Sequence, residues 1–310
     1  MKNKFIITTG DPNGIGAEIT IKALQILDVP KDLIILVSNE EIMSYYGGAN
    51  LGYEILEVPY SKENISVGKI TAEAGEFSYK SLELACNMKP KGIITAPVSK
   101  FALHLAGYNY SGQTEILEKF LARDNQKAEM LFIADNFRVL LLTRHCAIKD
   151  INLTQVMIEN KIKNLAEIFE RNFGISNPKF ALCGLNPHAG EDGILGLEEQ
   201  KILIPAVETL REIGIDITYP KPSDTLFYDA AQKYLNKSKP KYDCYIATYH
   251  DQGLIPIKTV AGMGTVNTTI GLDILRTSPG HGTAFDIAGK NIANPQGMIC
   301  AIKTMMDLQK

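Results

Sequence analysis

Short runs of apolar residues alternate with longer amphipathic segments along the whole chain. Six runs are rich in β-branched and aromatic residues and end in polar or glycine-containing turns, which predicts buried strands. They are Phe5–Thr8, Leu33–Val37, Gly92–Thr95, Phe137–Leu142, Phe180–Cys183 and Tyr242–Thr248. Strands that alternate with helices in this way are typical of an α/β fold with a largely parallel sheet.

The segments between these runs carry helical spacing. Asn152 and Gln155 resemble a capping box and predict a helix that begins there and runs to about Phe173. Another helix is predicted over 198–213, where Pro205 either kinks the helix or delays its start. After the first glycine-rich turn, apolar residues recur every four positions and predict a helix. These residues are Ile15, Ile19, Ala23 and Leu27.

Two loops are the best candidates for domain boundaries. A chain of 310 residues is long enough for two domains, and the loops 106–115 and 276–286 combine glycine with polar residues. We therefore predict one α/β domain from 1–108 plus 280–310 and a middle domain from 109–279. The two ends of the chain would then fold together.

Composition excludes several classes of function. The net charge is −3 and there is no basic block, which argues against a nucleic-acid-binding protein. No apolar stretch approaches the roughly 18 residues that cross a bilayer, and the first residues read as a strand and not as a signal peptide. Five widely spaced cysteines without a Cys-x-x-Cys motif indicate a reducing compartment. We expect a cytoplasmic globular protein.

Three of the five histidines follow predicted strands. His145, His188 and His250 should therefore converge at the carboxyl edge of a sheet, where open α/β sheets bind their ligands. Three imidazoles with an open position would form a catalytic centre for zinc, cobalt or a similar divalent ion. Asp251 and Glu191 could orient these ligands. The alternatives are hydrogen-bonding or capping histidines and solvated turn carboxylates.

Three polar residues downstream suit a small anionic substrate. Lys258, Asn267 and Arg276 combine a point charge, an amide and a forked guanidinium, which would bind a phosphorylated molecule that also carries a carboxylate. Taken singly, each of these residue types is more often found at the surface. The stretch 262–267 begins like a dinucleotide-binding fingerprint, but it lacks the third glycine and precedes no predicted helix, so we reject that reading.

Eight stretches in one order resemble the 4-hydroxythreonine-4-phosphate dehydrogenase family of vitamin B6 biosynthesis. They are TTGDPNGIGAE, SGQTE, TRHCAIKD, LNPHAGEDG, DTLF, YHDQGLIPIK, VNTTIGL and RTSPGHGTAFDIAG. The resemblance implies the two-domain fold of the isocitrate and isopropylmalate dehydrogenases, with a cleft between the domains. It also implies a homodimer whose active site and metal ion are shared between subunits, so the middle domain would hold the metal and substrate site and the dimer interface.

The resemblance implies roles for particular residues. The metal ligands would be His145, His188 and His250. The substrate-binding positions would be Gln113, Thr114, Lys258, Asn267 and Arg276. By likeness to the wider group of decarboxylating dehydrogenases, the dinucleotide contacts would be His281, Gly282, Thr283, Ala284 and Asn294. For residues 281–294 the alternative is a turn followed by a helix start, with Asp286 in the first turn of that helix.

The implied reaction is NAD-dependent oxidation of 4-phosphooxy-L-threonine with decarboxylation to 3-amino-2-oxopropyl phosphate. The dinucleotide could equally be NADP, and the metal ion zinc, cobalt or magnesium. Asp224 and Asp251 are candidates for the general acid or base. The nearest alternative is a related dehydrogenase of 4-phospho-D-threonate or 4-phospho-D-erythronate, and a more remote one is a non-redox phosphoacyl transferase or phosphate-ligand binding protein.

One position departs from the common pattern of this family. Gln113 stands where the family commonly has histidine, in Gly-His-Thr-Glu. A glutamine amide can donate and accept hydrogen bonds, but it cannot carry charge or transfer protons. A contact between Gln113 and the substrate therefore remains expected, whereas a role in proton transfer does not.

Overall fold

The computed structural model describes residues 3–123 and 126–309. The chain divides into two compact units. One unit, here the terminal unit, consists of 1–128 together with 266–310, and the other, the middle unit, consists of 129–265.

The described residues contain ten strands and ten α-helices. The strands are β1 (Phe5–Thr8), β2 (Ile34–Ser38), β3 (Glu54–Glu57), β4 (Gly92–Thr95), β5 (Glu129–Ala134), β6 (Phe137–Leu141), β7 (Phe180–Leu182), β8 (Cys244–Ala247), β9 (Val266–Ile270) and β10 (Arg276–Pro279). The helices are α1 (Gly16–Leu27), α2 (Glu40–Tyr45), α3 (Ala72–Asn87), α4 (Lys100–Leu105), α5 (Gln113–Leu121), α6 (Gln155–Phe173), α7 (Ile204–Glu212), α8 (Ser223–Leu235), α9 (His250–Ala261) and α10 (Gln296–Leu308).

The unit boundaries differ from the predicted ones on both sides. They fall at 128/129 and 265/266, whereas the loops pointed to 108/109 and 279/280. Helix α5 lies in the terminal unit because Leu117 and Leu121 pack into the same core as Ile6 and Ile93. Strand β10 lies there because it pairs with β4. A glycine-rich loop does not show on which side of it the next helix is buried.

In the terminal unit the strand order is β3-β2-β1-β4-β10-β9. Neighbouring strands are parallel from β3 to β10, and only the pair of β10 and β9 is antiparallel. Strands β1, β2 and β4 are buried along their whole length, as expected for parallel strands covered on both faces.

In the middle unit the order is β5-β6-β8-β7. Strands β6, β8 and β7 are parallel neighbours, and β5 is antiparallel to β6. The core around them contains Phe137, Val139, Tyr245 and Leu254. Because the three parallel strands run in one direction, the loops that follow them begin at one edge of the sheet.

One predicted helix start is wrong in detail, and one of the two alternatives for Pro205 is confirmed. Helix α6 is capped by Thr154, whose hydroxyl accepts a hydrogen bond from the Met157 amide, and not by Asn152. Pro205 does delay an α-helix: the segment opens as a π-turn over Glu199–Leu203 and becomes α-helical at Ile204.

Among the described residues, no helix is both long and apolar enough to cross a membrane.

Candidate active site

The loops after β6, β7 and β8 carry the three predicted ligands. His145 follows β6, His188 follows β7, and His250 is the first residue of α9, directly after the turn that ends β8. The predicted convergence on one sheet edge is thus present in the topology of the middle unit. His145 and His188 are exposed, and His250 is partly buried.

His145 and His250 lie side by side. Their ring centroids are 5.6 Å apart, with the rings inclined at 46°. The Nδ1 atom of His250 is hydrogen-bonded to Oδ1 of Asp251 at 2.7 Å. A carboxylate at one ring nitrogen fixes the orientation of the imidazole and leaves Nε2 for a ligand, which is the usual arrangement behind a metal-binding histidine.

His188 lines a cavity next to this pair. The cavity has a volume of about 310 Å³, and its walls include Asp224, Tyr249 and Gln252 as well as His188. Within residues 3–123 and 126–309, no group of three or more His, Cys, Asp or Glu side chains is placed to hold a metal ion. A single chain therefore brings two of the three predicted imidazoles into contact.

His188 begins a stretch of left-handed backbone. The φ angles from His188 to Asp192 are 52°, 53°, 83°, 42° and 55°, and only the third residue is glycine. For L-residues this conformation costs about 1–2 kcal/mol per residue. Such strain persists only where the surrounding structure holds it, and it is concentrated at functional sites.

Gln252 ties two of the histidine loops together, a role that the sequence did not indicate. Its Oε1 accepts hydrogen bonds from the amide and hydroxyl of Thr248, at 2.7 and 2.9 Å. Its Nε2 donates to the Gly184 carbonyl at 2.7 Å. Thr248 follows β8 and Gly184 follows β7, so this one amide fixes the loop of His250 against that of His188. In the sequence, the only indication of this role is that Gln252 lies four residues after Thr248, at the end of the predicted strand.

Arg276 lies in the terminal unit and is only 3% exposed. Its Nε donates to the Thr95 hydroxyl at 2.8 Å and its Nη1 to the Thr269 hydroxyl at 3.4 Å. Burial lowers the pKa of Arg276 to about 10, and the charge of Glu115 partly opposes this effect. No described carboxylate lies within ion-pair distance of the guanidinium. A buried cation in this state is suited to an anionic ligand.

Two amide oxygens of the same unit are buried without a hydrogen-bond partner. They are Oε1 of Gln113 and Oδ1 of Asn267. Asn267 is two residues from Thr269 on β9, and Thr269 is directly opposite Arg276 on β10. Since alternate residues of a strand share a face, Asn267 and Arg276 project from the same face of the sheet. The other end of the Gln113 amide donates to the Ala96 carbonyl at 3.1 Å.

The remaining substrate candidates are Thr114 and Lys258. Thr114 is buried in the first turn of α5, directly after Gln113. Lys258 belongs to α9 in the middle unit. Desolvation lowers the pKa of Lys258, although the residue as a whole is exposed.

The stretch 281–294, which resembles decarboxylating dehydrogenases, contacts the turn between β1 and α1. The Ile15 amide donates to the Thr283 carbonyl at 3.0 Å, and a Cβ on Gly14 would lie 2.9 Å from that same oxygen. Nε2 of His281 is buried without a partner. The Asn294 side chain accepts a hydrogen bond from the Gln296 amide at the start of α10. The alternative for this stretch is half confirmed: residues 285–291 form turns, but no helix begins at Asp286.

The loop between β1 and α1 contains a fully buried acid. One oxygen of Asp11 accepts a hydrogen bond from the Asn13 amide at 2.9 Å, and the other has no partner. Burial raises the pKa of Asp11 to about 6, and backbone hydrogen bonds from Asn13 and Ser99 limit the rise. The carboxyl group therefore organises a tight turn at a cost in desolvation.

Comparison with known proteins decides the family. Residues 4–305 match the family described as pyridoxal phosphate biosynthetic protein PdxA. The chain belongs to this family. The match spans both units and includes His145, His188 and His250 as well as Arg276, Gln113 and Asn267.

Individual relatives extend over the whole chain. A 4-hydroxythreonine-4-phosphate dehydrogenase of Sulfurihydrogenibium sp. is 37% identical, over 99% of this chain and 98% of its own length. A D-threonate 4-phosphate dehydrogenase of Salmonella typhimurium is 35% identical, over 99% of this chain and all of its own. The crystal structure of a 4-hydroxythreonine-4-phosphate dehydrogenase from Klebsiella pneumoniae superposes with a TM-score of 0.84 at 31% identity and covers all of both chains.

The fold likeness reaches beyond the PdxA family. A β-decarboxylating dehydrogenase of Thermococcus kodakarensis has a TM-score of 0.57 at 15% identity, over 99% of this chain and 83% of its own. This likeness concerns the fold alone, and it confirms the predicted fold class.

Proposed function

We propose that this PdxA family member is a dehydrogenase of 4-phosphooxy-L-threonine. It would oxidise the secondary alcohol with NAD or NADP and release carbon dioxide from the resulting 3-keto acid, giving 3-amino-2-oxopropyl phosphate for pyridoxal 5'-phosphate biosynthesis. The observation that carries the proposal is the full-length similarity to relatives named for this activity. The protein would act in the cytoplasm as a homodimer with a shared active site.

His145, His188 and His250 would hold a divalent metal ion, zinc, cobalt or magnesium. The contact between the rings of His145 and His250 supports this assignment, and so does the hydrogen bond that Oδ1 of Asp251 accepts from Nδ1 of His250. When bound, the ion would supply Lewis acidity to the substrate hydroxyl and to the ketone formed from it. Asp251 then serves to orient His250, which leaves Asp224, on the wall of the His188 cavity, as the better candidate for proton transfer.

The substrate phosphate and carboxylate would be bound by a cationic and amide-rich set of residues. Arg276 supports this because it is buried and has only hydroxyl partners among the described residues. The unpaired oxygens of Gln113 and Asn267 would accept hydrogen bonds from the hydroxyl or ammonium group of the substrate. Thr114 and Lys258 would complete the set.

The dinucleotide would lie along the loop that contacts the β1–α1 turn. Its contacts would be His281, Gly282, Thr283, Ala284 and Asn294. The unpartnered Nε2 of His281 offers one hydrogen-bonding atom for it. Asn294 can contribute mainly its amide nitrogen, because its oxygen already caps α10.

A second candidate is oxidation of 4-phospho-D-threonate. The Salmonella typhimurium relative supports it, since that protein is nearly as similar to this chain as the 4-hydroxythreonine-4-phosphate dehydrogenases are. The two substrates differ in having a hydroxyl or an ammonium group next to the carboxylate. An uncharged acceptor such as Gln113 accommodates either group.

Formation of NADH, followed by absorbance, tests the function. The purified protein is supplied with NAD and either 4-phosphooxy-L-threonine, 4-phospho-D-threonate or 4-phospho-D-erythronate. We expect the highest kcat/KM with the first, loss of turnover on treatment with a chelator, and recovery with a divalent ion. A higher kcat/KM with either of the other acids would reassign the substrate. Full activity in a demonstrably metal-free preparation would exclude the metal site.

A further inference from the structure

The backbone that carries His188 is unusual, and its surroundings show what holds it. Five successive residues from His188 to Asp192 are left-handed, four of them with a Cβ atom. The Ala189 amide donates to the Asn186 carbonyl, the Ile194 amide to the Glu191 carbonyl, and the Leu195 amide to the Gly190 carbonyl. Because left-handed backbone is strained at residues that have a Cβ atom, contacts with the surrounding structure must hold the segment in this conformation.

Glu199 provides these contacts. It is 2% exposed, and its two carboxylate oxygens accept hydrogen bonds from Asn186, one from the backbone amide at 2.8 Å and one from the side-chain Nδ2 at 2.9 Å. Glu198 accepts from the same Nδ2 at 2.7 Å, but its side chain is at the surface. The Asn186 carbonyl in turn accepts a hydrogen bond from the Ala189 amide. The carboxylate of Glu199 therefore fixes a residue to which the left-handed segment is hydrogen-bonded.

The local packing fits closely around this carboxylate. A Cβ on Gly190 would lie 2.7 Å from Oε2 of Glu199, and one on Gly196 would lie 2.3 Å from Nδ2 of Asn186. Glu199 is also the first residue of the π-turn that precedes α7. Turns of this kind are frequent at functional sites. Within the described residues, Glu199 has no ion pair with a basic side chain. The buried charge is thus compensated by Asn186 and not by a cation.

We propose that Glu199 is a positioning residue for the metal site. Through Asn186 it holds the left-handed segment and so fixes where the imidazole of His188 stands on the wall of the cavity that it shares with Asp224 and Tyr249. This proposal rests on the proposed role of His188 as a metal ligand. Without the carboxylate, the segment relaxes toward ordinary backbone conformations and one ligand loses its preset position.

The test compares metal affinities of the intact protein in a double-mutant cycle. Zn²⁺ affinity is measured by competition with a chromogenic chelator for wild type, Glu199→Gln, His188→Ala and the double variant. Glu199→Gln should weaken binding about 10–100-fold, as losses behind a metal ligand commonly do. In the His188→Ala background the same change should have no further effect, because the ligand that it positions is gone.

Glu198→Gln is the matched control. It removes the same charge from the neighbouring residue, which accepts one hydrogen bond from the same amide, so an effect of charge alone would appear in both variants. We expect less than a threefold change for it. Asn186→Ala is the second variant should Glu199→Gln fail to fold, and it should reproduce the loss. Hydrogen exchange of the metal-free protein should also rise in peptides covering 186–195 in both Glu199→Gln and Asn186→Ala.

The outcomes separate the two proposals. If His188→Ala weakens Zn²⁺ binding but neither Glu199→Gln nor Asn186→Ala does, Glu199 is not a positioning residue and the ligand assignment stands. If Glu199→Gln weakens binding equally with and without His188, it acts on the fold in general and the proposal is wrong. If His188→Ala leaves the affinity unchanged, His188 is not a ligand and both proposals are overturned.

Discussion

At the scale of single residues, the nitrogen and the oxygen of the Gln113 side-chain amide have different surroundings. Its nitrogen donates to the Ala96 carbonyl, whereas its oxygen is buried and has no partner. The orientation follows from chemistry, since an amide oxygen facing the carbonyl would be repelled. Gln113 therefore offers the substrate an unpaired acceptor oxygen, while one of its two N–H donors is already used. The histidine common in the family could fill both positions with its two ring nitrogens.

The different surroundings of the Gln113 nitrogen and oxygen predict the behaviour of two variants. Gln113→His should retain activity within about tenfold and should add a titration near neutral pH, because an imidazole can be protonated there. Gln113→Ala should raise KM more than it lowers kcat, since it removes binding that substrate and transition state share. Measurement of kcat and KM across pH checks both. A collapse of kcat in Gln113→Ala at unchanged KM would show instead that the amide acts mainly in the transition state.

At the scale of secondary structure elements, the apolar pattern located the buried strands well. The predicted Phe5–Thr8 and Gly92–Thr95 coincide with β1 and β4, and the other four runs overlap their strands within a few residues. It missed four strands, among them β5, which is apolar and buried along its whole length, and β9. The other two are β3, which is largely exposed and has glutamate at both ends, and β10, which reads Arg-Thr-Ser-Pro. Their positions depend on pairing with β2, β4 and β9, which no local pattern reveals.

The same limit applies to the candidate site. That three histidines follow parallel strands is visible in the sequence, because strand ends and apolar runs are local features. The roles of Gln252 and Glu199 in fixing the loops are not visible in the sequence. Both residues act through hydrogen bonds to residues far along the chain or across a strained turn. Gly253 and Pro256, two residue types that usually interrupt helices, lie inside α9.

Gly253 has a packing reason that yields a test. A Cβ there would lie 2.7 Å from Leu141 and 2.8 Å from Val139, both on β6, and 3.0 Å from Ala247 on β8. Gly253→Ala gains up to about 1 kcal/mol of helix propensity but overpacks the core, which costs about 1–3 kcal/mol. We expect a net loss of stability in urea unfolding.

Ile255→Ala in the same helix is the control for this substitution. Its side chain is 63% exposed, so the change should alter the free energy of unfolding by no more than about 0.5 kcal/mol. Equal or greater stability of Gly253→Ala would mean that α9 can move away from the sheet, and that the close approach does not explain the glycine.

At the scale of the whole molecule, the contact between His145 and His250 predicts how the proposed homodimer would assemble its metal site. If the metal ion is shared between subunits and His145 and His250 act together in one chain, as their 5.6 Å ring separation suggests, then His188 must come from the other chain. A symmetric dimer would contain two such sites, each built from both subunits.

Mixed dimers test this arrangement. His145→Ala and His188→Ala, each inactive alone, are co-expressed with different affinity tags, and the doubly tagged dimer is isolated. One of its two sites then carries both defects and the other carries none, so it should recover about half the activity of the wild-type dimer. Co-expression of His145→Ala with His250→Ala should recover nothing, because every site would lack one ligand. Recovery in the second pair but not in the first would place His145 and His250 on different subunits, and recovery in neither would show that the metal site is not shared.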